Sequence, residues 1–122
     1  MAPFYPDRKS ALHALIEYSL PIDNAIARLA NEPWDAPEPL VYLSAEDVER
    51  ILQRFLDGEL THEQVTDWAD LLECREDIAP KPGQEVLTEV LFRLANPYLA
   101  SPVTRAGAEE MQIAVRSINN AV

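Results

Sequence analysis

Cysteine occurs once in these 122 residues, at Cys74, so no disulfide can form within the chain. Glycine occurs three times, which leaves no glycine-rich loop to cradle a phosphate. The two histidines, His13 and His62, supply few nitrogen ligands, and no Glu-x-x-His motif exists to build a carboxylate di-metal centre in a helical bundle. No apolar run approaches the ~20 residues of a membrane span. The opening, MAPFYPDRKS, has no apolar segment after its charges, so no secretory signal is expected. These features together favour the cytoplasm.

Basic residues are also scarce: 10 Lys and Arg face 21 Asp and Glu, for a net charge of −11. The imbalance is concentrated between Glu32 and Glu89, where the only cations are Arg50, Arg54, Arg75 and Lys81. Such a chain repels phosphate backbones and anionic bilayers, which argues against nucleic-acid and membrane partners. It suits a protein partner with a basic surface. The plain alternative is an acidic surface that only maintains solubility.

What the chain has in quantity is helical periodicity. A hydrophobic fraction of 48% supplies an ordinary core. The pattern predicts an all-α, compact bundle of five to six short helices in a single domain, residues 1–122, with a proline-rich connector at 33–43. Asp7 caps a first helix and Pro21 to Ala30 forms a second. Leu40 to Leu43 is extended, at most a very short strand. Ser44 with Asp47, and Thr61 with Gln64, read as capping boxes opening a third and a fourth helix. Gly58 stands between them where a left-handed residue is wanted. The pair is expected to form a central antiparallel helix hairpin. The chain then turns through Ala79 to Gly83. A fifth helix spans Gln84 to Ala95, and Thr104 caps the last, which is expected to bury Met111, Ala114, Val115 and Ile118.

Candidate chemistry is thin. The turn LDGELTHEQ invites comparison with a calcium-binding EF-hand, with Asp57 and Gly58 as its fifth and sixth positions. The first, third and twelfth positions then become Gln53, Phe55 and Gln64, and a cation needing about 6–8 oxygens loses three suppliers. A nucleophilic Cys74 has no base nearby in sequence, and a small buried residue near a helix end is the simpler reading. No cofactor is expected.

Three groups remain as candidate partner-binding residues. Glu63, Asp67 and Asp70 recur at i, i+4, i+7 on the polar face of the fourth helix, a solvated stripe or a contact surface. Trp34 and Asp35 sit in a rigid loop, where the indole either plugs a core gap or meets a partner. Arg75, Glu76 and Asp77 form a charged corner, in which Arg75 suits a helix C-terminus and is held by flanking carboxylates.

The segments that carry these groups resemble a signature of small acidic bacterial proteins of unassigned function. A Leu-x-Gly-Glu-Leu turn (Leu56 to Leu60) precedes a helix bearing Trp68-Ala69 and ending in Glu73, Arg75, Glu76, Asp77 and Ile78. Pro33-Trp34-Asp35 and Leu94-Ala95-Asn96-Pro97 are similar too, so the likeness spans roughly residues 33 to 97. Asp70 and Cys74 depart from the pattern at variable places. Some proteins of this style act as immunity proteins beside toxins. The resemblance thus implies a non-catalytic protein–protein interaction domain, immunity or antitoxin-like. The alternatives are a structural domain of a homo-oligomer and a small carboxylate-dependent enzyme.

Overall fold

The local signals for the middle of the chain are explicit, and a computed structural model follows them closely. It describes residues 7–19, 22–33, 35–98 and 103–120. Among these are six helices and two short strands: α1 (Arg8–Glu17), α2 (Asp23–Leu29), β1 (Val41–Leu43), α3 (Ala45–Leu56), α4 (His62–Glu73), β2 (Ile78–Pro80), α5 (Glu85–Ala95) and α6 (Arg105–Asn120).

Both capping boxes form. Ser44 and Thr61 each accept the N–H three residues on, while the side chains of Asp47 and Gln64 reach back to the cap N–H. Such reciprocal bonds satisfy donors that a helix start leaves orphaned. Asp7 caps α1 by accepting from the Ser10 N–H at 2.7 Å. Thr104 does the same for α6, accepting from Gly107 at 3.0 Å. A Cβ on Gly107 would lie 3.2 Å from that hydroxyl, so the glycine leaves room for the cap.

The α3–α4 turn is a Schellman motif. The Gly58 N–H donates to Phe55 O at 3.0 Å and the Glu59 N–H to Arg54 O at 2.9 Å. Gly58 holds φ +79°, with no atom within 4 Å of where a Cβ would stand.

One apolar cluster gathers side chains from all six helices and both strands, with Trp68 fully buried in it. Its indole N–H donates to Ile16 O at 3.1 Å, tying α4 to α1. The pairing of helices differs from the expected central hairpin. α3 packs most extensively on α6 and α4 on α5, while α3 and α4 meet over a much smaller contact. Arg105 donates to Leu56 O, Gln112 to Gln53 and Arg116 to Glu49 along the α3–α6 seam. Gln112 is buried there and Ala114 faces outward, the reverse of the simple apolar pattern.

The fold is therefore mostly helical rather than all-α. β1 and β2 form a parallel pair with Val41 opposite Ile78 and Leu43 opposite Pro80. The predicted turn at Ala79 begins instead with this strand. Pro80 is tolerated because it closes a three-residue strand, and the next residue, Lys81, supplies the N–H to Leu43 O at 3.1 Å. Parallel strands need a long crossover, and here α3 and α4 provide it.

Gly58→Ala is expected to cost about 1–2 kcal/mol from the left-handed backbone alone, and Gly58→Asn less. Urea unfolding measures both. Equal, near-zero losses would mean that the turn is not held in this conformation.

Candidate functional site on the outer face of the fourth helix

The capping box at Thr61 sets where α4 starts, and the burial of Val65, Trp68, Ala69 and Leu72 sets which way it faces. Glu63, Asp67 and Asp70 are consequently exposed together on the opposite side. Glu63 lies 3.7 Å from His62, and among the described residues Asp67 and Asp70 join no ion pair. This contrasts with Asp47, Glu49 and Glu59, each of which has an arginine partner.

The acidic face is a ridge between cavities. On one side a cavity of about 440 Å³ lies between Glu63, Asp67 and the end of α5, where Tyr98 is fully exposed. On the other side an open cavity of about 280 Å³ lies between Tyr18, α2 and α4, and is lined by Asp23, Asp67 and Asp70 together with Ile22, Ile26 and Leu71. It adjoins a third, of about 330 Å³, through Asp70 and Leu71, and that one ends at Cys74 and Arg75.

The charged corner divides. Glu76 is exposed, but Asp77 is 0% exposed and does not belong to the surface. Arg75 donates to its two carboxylate oxygens at 2.8 and 3.0 Å, and Arg8 donates twice to Oδ2, at 2.9 and 3.1 Å. The contact-surface assignment is therefore corrected for Asp77, because both its oxygens are used internally. Asp35 is exposed, and its carbonyl accepts from Arg8 at 3.0 Å. Trp34 lies outside the described residues, as does Pro21. Cys74, expected to be buried, is exposed, with Sγ 4.0 Å from Asp70 Oδ1.

Two participants were invisible in sequence. Arg8 is 69 residues from Asp77, with no local signal joining them. Tyr18 caps α1 in the left-handed region, φ 48°, and is only 5% exposed. Burial raises its phenol pKa, and the charges of Asp67 and Asp23 raise it further, while Arg54 opposes them. Arg54 itself is turned to Glu59 and to the carbonyls of Glu17 and Tyr18, where a cation suits the end of α1. Hydrogen bonds from Ser10 hold Asp7 below its ordinary value.

Among the described residues no group of three or more His, Cys, Asp or Glu is placed to hold a metal ion, and no helix is long and apolar enough to cross a membrane. Comparisons with protein-family models, curated proteins and solved structures found no match for this chain.

Two outcomes follow from these charges. Asp77→Ala is expected to cost about 3 kcal/mol in urea unfolding, the low end for breaking a buried ion pair, because both guanidiniums keep some contact with water. Glu76→Ala should change stability by under about 0.5 kcal/mol; equal losses for the two would contradict the division of the corner. A raised phenol pKa means that the folded state binds the Tyr18 proton more tightly than the unfolded one. That stability is complete below pH about 10 and declines as pH rises above it. Tyr18→Phe should accordingly lose less stability than the parent between pH 9 and 11. A constant difference between the two would show that the phenol is not perturbed.

Proposed function

We propose that the protein is a non-catalytic interaction domain, immunity or antitoxin-like, that binds a protein partner with a basic surface through the outer face of α4. The observation that carries this reading is the uncompensated charge of Asp67 and Asp70 on a ridge flanked by cavities. Glu32, Asp47, Glu49 and Glu59, by contrast, each have an arginine partner. Leaving Asp67 and Asp70 unpaired, on a surface with relief, provides both long-range attraction and shape for a complementary protein. The resemblance of the Leu56 to Ile78 segment to small acidic bacterial proteins supports the same reading. Glu63 extends the face and Glu76 lies beyond its far end, so both remain candidate contacts. The cytoplasm is the compartment this reading requires.

The test is paired affinity capture from native cytosol. One bait carries Glu63→Lys, Asp67→Lys and Asp70→Lys, and a control bait carries Glu38→Lys, Glu89→Lys and Glu110→Lys, which change net charge equally. The parent and control baits should retain the same basic protein, and the α4 bait should lose it. With that protein in hand, the α4 substitutions should slow association by on the order of tenfold at low salt. Identical capture by all three baits would remove the α4 face as the contact surface.

A further inference from the structure

We infer that the cavity between Tyr18, α2 and α4 receives one long basic side chain of the partner, an alkyl stem ending in an ammonium or guanidinium. The inference rests on the interaction reading above and names the group recognised.

The cavity has two chemistries in one space of about 280 Å³. Ile22, Ile26 and Leu71 give it an apolar lining. Asp23, Asp67 and Asp70 line it too, and none of them is in an ion pair among the described residues. Lysine and arginine are amphipathic in the matching sense, with an apolar stem and a charged head. The volume lies just below the ~300–1,000 Å³ of sites for drug-sized ligands, which suits a side chain better than a whole metabolite. The carboxylates are not grouped to close on a bare metal ion. A broad organic cation can span acids that stand further apart.

Tyr18 adds a polar group with hydrogen-bonding capacity to spare. It lines the cavity and is 95% buried, yet its hydroxyl has no hydrogen-bond partner among the described residues. Buried phenols usually find one. The oxygen is not sealed in either, because the only buried partnerless side-chain atom among those residues is Gln84 Oε1. Asp67 and Asp23, whose charges raise the phenol pKa, line this cavity together with Tyr18. There it can accept a hydrogen bond from a cationic N–H, and the ring offers a cation–π contact. The nearby cation, Arg54, is engaged with Glu59 and the end of α1.

The experiment is a residue-resolved NMR titration of the intact chain with Nα-acetyl-lysine methylamide, Nα-acetyl-arginine methylamide, the uncharged norleucine counterpart and free butylamine. A capped basic residue should give saturable shifts centred on Tyr18, Asp23, Asp67 and Asp70, with Kd in about the millimolar range expected of a single side chain. Norleucine should not. Tyr18→Phe should weaken binding about tenfold, as loss of a charged hydrogen bond does, and the exposed substitution Asp23→Asn should weaken it without touching the core. Butylamine binding as tightly as the capped residues would overturn the assignment in favour of a free-amine site. Shifts centred instead on Glu63 and Tyr98 would overturn the cavity while leaving the acidic-face reading intact. No saturable shift with any cation would overturn the cavity too, and the capture experiment would then judge the wider reading separately.

Discussion

The carboxylate of Asp77 is the one charged side chain buried among the described residues, and the N-terminal half of the molecule is fastened to it. An isolated charge inside a protein is costly, and it is tolerated where paired and hydrogen-bonded. Here the pairing comes from both ends of the local architecture. Arg75 arrives from the end of α4, and Arg8 from the start of α1. Arg8 simultaneously donates to the carbonyls of Pro33 and Asp35, at 2.7 and 3.0 Å, so the proline connector is held by the same guanidinium. The Asp77 carbonyl accepts from the N–H groups of Leu40 and Val41, at 2.9 and 3.1 Å, immediately before the strand pair begins. A single residue thus sets the position of α1, the connector and β1 relative to the end of α4.

That interior clamp explains why the surface charge is distributed as it is. The segment around α4 is rich in acids and poor in bases, and two of its neighbouring arginines are taken inward, Arg75 by Asp77 and Arg54 by the end of α1 and Glu59. Asp67 and Asp70 are left without internal cations. The clamp also holds α1 against α4, which places Tyr18 beside those acids. The proposed recognition surface is in this sense a product of where the arginines go. The acidity of the sequence alone does not produce it.

What was readable in the sequence was local. Capping boxes span four residues, and the Gly58 turn spans six, so their physics is contained in a short window; both formed as expected. The direction of α4 followed from apolar spacing for the same reason. Long-range pairings carried no such signal. β2 has two prolines close by and looks like a turn until it meets β1 across a two-helix crossover. Asp77 looked like the solvent-facing end of a charge cluster because nothing near it in sequence announces Arg8. The short loop between α3 and α4 suggested a hairpin, but α3 packs chiefly on α6, which follows it by some fifty residues and shares no local signal with it. The cavity at Tyr18 depends on three separate elements and was not readable at all.

The most direct measurement of the clamp is native-state hydrogen exchange on Asp77→Asn, which keeps the shape of the side chain and removes its charge. The clamp predicts that protection falls selectively at the amides of Leu40, Val41 and Lys81, which bridge the connector and strand pair, while the α3 and α6 amides along their shared seam keep theirs. Uniform loss across the whole chain, or unchanged protection at those three amides, would contradict it.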